Sequence, residues 1–135
     1  MAFDLGVKDG HPLKGSWPVQ AQIKLVSEES RTIDFVFSDE TLDRDTEIIR
    51  AQGWQLELYR SNPVFLFAHE QREKPIGQSI QVWISDEKRL LGRVRFATAE
   101  NGNEAGEAFF RLYRDGFMNC VSVGFRGLRC EYPTE

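Results

Sequence analysis

Apolar and polar positions alternate cleanly in three stretches of this chain. In "RTIDFVFSD", Ile33, Phe35 and Phe37 fall on one face. In "QSIQVWIS" the same holds for Ile80, Val82 and Ile84. In "RLLGRVRFAT", Leu90, Val94 and Phe96 lie on one side, with Arg93 and Arg95 on the other. A period of two predicts half-buried strands, and the short "DEK" link between the last two predicts a hairpin. "AQIKLVS" alternates weakly. The closing stretch "MNCVSVGFRGLRC" puts Val121, Val123 and Phe125 on one face and Cys120, Ser122 and Gly124 on the other. "NPVFLFAHE" breaks the alternation. Its run from Val64 to Ala68 is apolar throughout and ends at His69, which predicts a strand covered on both faces; periodicity leaves a buried helical segment as the alternative.

Helical spacing is clear once, in "AENGNEAGEAFFRLYRDG". Ala108, Phe109 and Leu112 recur on one side, Glu104 and Glu107 sit near the start, and Arg111 and Arg114 lie toward the end. Gly116 suits the left-handed position that closes a helix, so a helix is predicted near residues 103–115. "IIRAQGWQLELYRSN" mixes periods and predicts a short helix before a turn at Ser61, Asn62 and Pro63. Residues 1–20 carry three Gly and two Pro and no period, which reads as a flexible N-terminal arm ahead of a single domain over residues 21–135. Strands joined by short turns plus one packed helix predict a mainly β fold with α, as a small barrel or sandwich.

Composition narrows the function classes. The 135 residues suit one domain, and 41% apolar with 28% charged residues is ordinary for a globular chain. A net charge of −4 speaks against a nucleic-acid surface. No apolar run approaches the ~20 residues of a bilayer span, and "MAFDLGVKDG" lacks the order of a signal peptide. An intracellular protein with no membrane contact is expected. Cys120 and Cys130 then read as free thiols. No Cys/His group has zinc spacing and no glycine-rich phosphate loop is present, so neither metal nor cofactor is expected.

Three features bear on chemistry. Ser122 sits in mid-strand between two valines, and His69 ends the apolar run. A serine hydroxyl becomes a nucleophile only when an imidazole within hydrogen-bond reach takes its proton and a further group orients that imidazole. Taken singly, each residue reads more readily as a satisfied structural one, the serine bonded to nearby backbone and the histidine ending an apolar strand. The acidic group Asp39, Glu40, Asp43, Asp45 and Glu47 reads either as a solvated loop or as the source of a third catalytic carboxylate or a metal ligand. The aromatic residues read as core, and His11 lies in the arm.

The order of several segments changes these weights. "DETLDRDTEIIRAQGW", "NPVFLFAHE", "KPIGQ", "LLGRVRFA" and "FRLYRDGFMNCVSVGF" together resemble the HK97-type prohead proteases of phages and prophages, over residues 31–127. The resemblance implies an assemblin-like serine endopeptidase on a closed antiparallel β-barrel flanked by helices. It implies Ser122 as nucleophile and His69 as general base. The third catalytic member is left among Asp43, Glu70 and Glu131, and the oxyanion partner among backbone N–H groups, Arg114 and Arg126. The implied task is cleaving capsid and scaffold protein segments, and the protease itself, inside the procapsid in the bacterial host cytoplasm, as a homo-oligomer. The chain stops 13 residues after Ser122, short of the next strand the family carries, so either the third member is local, or the chain is truncated at its C-terminus, or the protein is damaged. Thr46 stands where the family has a small residue, and its branched side chain predicts a loop that avoids positive φ. A non-catalytic capsid-assembly module retaining the protease fold is the competing reading; a small barrel holding an apolar ligand is a third.

Overall fold

The alternating segments pair largely as their pattern predicts. A computed structural model describes residues 2–5, 23–42, 46–119 and 121–132. Five strands form one antiparallel sheet: β2 (Ile23–Ser27), β3 (Thr32–Ser38), β4 (Val64–Phe65), β5 (Gly77–Ile84) and β6 (Leu90–Phe96). Their spatial order is β2-β3-β6-β5-β4. The hairpin β5–β6 is in register from Gly77↔Phe96 to Ile84↔Leu90, with a shift between Ser79 and Gln81. β1 (Ala2–Leu5) and β7 (Ser122–Phe125) form a second, parallel pair. Two helices accompany the sheets, α1 (Glu57–Ser61) and α2 (Ala105–Arg114).

The inward faces meet in an aromatic core. Phe35 stacks on Phe65 at 5.7 Å between ring centroids and meets Tyr113 edge-on at 5.0 Å. Phe96 packs on Phe65 and Phe110. α2 buries Gly106, Phe110 and Tyr113, one stripe at helical spacing, and not the predicted side, where Ala108 and Leu112 are exposed and Phe109 is half-buried. Gly106 lets the helix lie against the sheet, since a Cβ there would stand 2.4 Å from the Ala97 carbonyl oxygen. Gly116, at φ 81°, ends the helix as predicted.

Further expectations are corrected. The sheet is not closed into a barrel. β2 and β4 are its ends, and β4 is two residues long, too short a ladder to bring the ends together. The apolar run is not one strand: after Phe65 the chain leaves the sheet in a helical turn at Phe67–His69, because Ala68 and His69 take positive φ. The last strand spans only Ser122–Phe125. Part of the supposed arm is a strand, because the backbone of residues 2–5 pairs with the edge of β7 that would otherwise face water; the rest of residues 1–20, including His11, lies outside the described residues. Thr46 also adopts φ 60°, the geometry its side chain disfavours.

Candidate active site

Ser122 opens β7. The valines beside it, Val121 and Val123, are buried in the core, which fixes the strand and turns Ser122 to the opposite, half-buried face. Trp54 meets Phe125 edge-on at 5.5 Å and supports the far end of the same strand.

His69 is held from both sides. Upstream, β4 is anchored to α1 and β5. The Tyr59 and Ser79 hydroxyls lie 2.7 Å apart in the interior, and the Tyr59 hydroxyl also donates to the Val64 carbonyl at 3.3 Å. The Ser79 N–H donates to the Pro63 carbonyl at 2.8 Å. Burial pushes the Tyr59 phenol pKa up, against the opposing effect of the Ser79 bond, so the group stays neutral. Within the turn, the Phe67 ring lies on Phe109 of α2 at 4.9 Å, and the Glu70 N–H donates to the Phe67 carbonyl at 2.9 Å. Downstream, the Ile76 N–H donates to the Phe65 carbonyl at 2.9 Å, returning the chain to β5. β1 lies against this turn as well as beside β7.

These supports bring together two residues 53 apart in sequence: His69 Nε2 lies 2.7 Å from Ser122 Oγ. That is ordinary hydrogen-bond length. With the ring proton on Nδ1, Nε2 accepts from the hydroxyl, which is the arrangement that activates a serine. The imidazole faces solvent, so the pair is open to a peptide.

Two of the other acidic candidates are engaged locally. The Glu70 carboxylate accepts the Arg72 N–H at 3.1 Å within its own loop. Glu131 pairs with Arg129 at 2.8 Å on the exposed C-terminal stretch. Asp43 lies outside the described residues. Arg114 is engaged by Asp115 at 2.9 Å and Glu28 at 3.6 Å. Among the described residues, no group of three His, Cys, Asp or Glu side chains converges as metal ligands, and no helix is long and apolar enough to cross a membrane. A groove lined by Lys74, Arg95 and Asn103 contains neither Ser122 nor His69. Sequence reasoning missed the Tyr59–Ser79 bond beneath β4; the polar positions in otherwise buried segments were its only sign.

Comparison with curated proteins adds one relationship. The chain is 30% identical over 94 residues to the prohead protease of Escherichia phage T5. The chain is similar to a phage prohead protease. The match takes in 67% of this chain and 41% of the T5 prohead protease, so the chain spans about two fifths of that relative's length. No family model and no solved structure matches the chain.

Proposed function

We propose that this chain carries the catalytic pair of an HK97-type, assemblin-like serine endopeptidase that cleaves capsid and scaffold protein segments, and itself, during procapsid maturation. The observation that carries the reading is the 2.7 Å contact between His69 Nε2 and Ser122 Oγ; similarity to a prohead protease supplies the substrate class. In this reading His69 takes the Ser122 proton as Oγ attacks the scissile carbonyl. The tetrahedral adduct collapses as the imidazolium returns the proton to the leaving amine. Water, deprotonated by the same imidazole, then releases the acyl group from Ser122. The enzyme works in the host cytoplasm inside the procapsid, as a homo-oligomer.

Ser122→Ala tests this. Co-expressed with its capsid and scaffold proteins, the variant leaves them uncleaved while its melting temperature stays at the wild-type value. Wild-type processing by Ser122→Ala would refute the assignment. Intact substrate that binds tightly to an unreactive wild-type chain would favour an assembly module.

A further inference from the structure

The turn that carries His69 is unusual in its backbone. Leu66 is still extended, at φ −111° and ψ 146°. Three more extended residues would carry the chain ~10 Å farther along β5. Instead Ala68 takes φ 51° and ψ 35°, and His69 takes φ 58°. Two successive residues other than glycine in the left-handed region are rare, and each carries a backbone cost. The surroundings hold them there: Phe67 is pinned on Phe109 before the pair, and the Glu70 N–H is bonded back to the Phe67 carbonyl after it.

At position 69 the residue type answers to chemistry. At position 68 it does not answer to packing, because Ala68 is exposed. What position 68 requires is a residue that tolerates positive φ. Alanine tolerates it poorly but passably, β-branched residues hardly at all, and glycine and asparagine well.

We propose that Ala68 is a positioning residue, whose left-handed backbone swings His69 out of the line of β4 and onto Ser122. This rests on the reading of Ser122 and His69 as nucleophile and base. It makes the reactivity of Ser122 depend on the φ preference of the residue that precedes the imidazole.

The test is the rate at which a fluorophosphonate labels Ser122. In that step the Oγ–P bond forms, the P–F bond breaks, fluoride leaves and the serine proton passes to the imidazole. Ala68→Val lowers the rate about tenfold or more, in line with the cost of misplacing a catalytic group by about an ångström. Ala68→Gly and Ala68→Asn keep it within about twofold, since both residues accept the left-handed region. Melting temperatures are recorded alongside. A Val variant that labels at the wild-type rate overturns the proposal. So does a Gly or Asn variant as slow as Val, which would place the effect in the methyl group and not in the backbone. Should Val fail to fold, Ala68→Thr, β-branched and polar enough for this exposed position, is read in its place by the same criteria. Failure of the underlying reading looks different: Ser122 of the unaltered chain would not label, or would label equally fast in His69→Ala.

Discussion

Removing one oxygen atom, in Tyr59→Phe, tests whether the buried hydroxyl pair braces the segment that leads to His69. The ring keeps its place in the core, so packing is conserved. The 2.7 Å bond with Ser79 and the 3.3 Å bond to the Val64 carbonyl are lost. Ser79 is only 5% exposed, so its hydroxyl is left without water to replace the partner. Orphaning a buried polar group costs about 1–3 kcal/mol. An unfolding entropy of about 2.1 cal/mol/K per residue makes 1 kcal/mol worth about 3.5 °C for 135 residues. Tyr59→Phe is therefore expected to melt about 4–10 °C lower, read by circular dichroism. The double variant with Ser79→Ala removes both partners and leaves no orphan hydroxyl. It is expected to melt no lower than Tyr59→Phe alone, a coupling of about 1 kcal/mol. Additive losses would refute the pairing. Alkali gives a second signature. The folded phenol is held neutral above the ordinary value of 10.0, while the unfolded one ionises there. The stabilising contribution of neutral Tyr59 is thus complete below pH 10 and is lost as pH rises beyond it. Wild-type stability should fall more steeply above that pH than stability of Tyr59→Phe.

Two further outcomes follow from the packing. Gly106→Ala drives a methyl group onto the Ala97 and Ile76 carbonyls and must push α2 off the sheet, costing about 1–3 kcal/mol in urea unfolding; a neutral result would mean the helix does not lie where described. Phe35→Ala empties the centre of the aromatic core, where Phe35 is fully buried against Phe65 and Tyr113, and is expected to cost about 3–5 kcal/mol, read by the same melts.

Much of the fold is legible in the chain because it is written in local period. β3, β6 and β7 alternate and α2 has its closing glycine, so these elements are legible, but two faces are not: a register shift between Ser79 and Gln81 leaves Ile80 and Ile84 exposed beside buried Val82, and α2 buries Gly106, Phe110 and Tyr113 in place of Ala108, Phe109 and Leu112. The features that were missed are not local. Barrel closure depends on whether β2 and β4 meet, and nothing in either strand's pattern records that. β1 finds its partner more than a hundred residues away, by parallel pairing that a four-residue "AFDL" cannot announce. The run through His69 misled because its turn is made by Ala68 and His69, not by glycine or asparagine, so the positive φ leaves no mark in the sequence. For the site the position is reversed. By spacing alone Ser122 and His69 each read as structural residues, and only the resemblance carried by the order of the surrounding segments points to them as a pair. Their separation of 2.7 Å comes from the fold.

Ser122 is proposed here as a nucleophile activated by His69. Mass-spectrometric mapping of a fluorophosphonate adduct tests it most directly, comparing the unaltered chain with His69→Ala. A single modified serine, Ser122, is expected in the unaltered chain, with a labelling rate at least about a hundredfold lower without the imidazole. Labelling elsewhere, or at Ser122 with the same rate in both proteins, would contradict it.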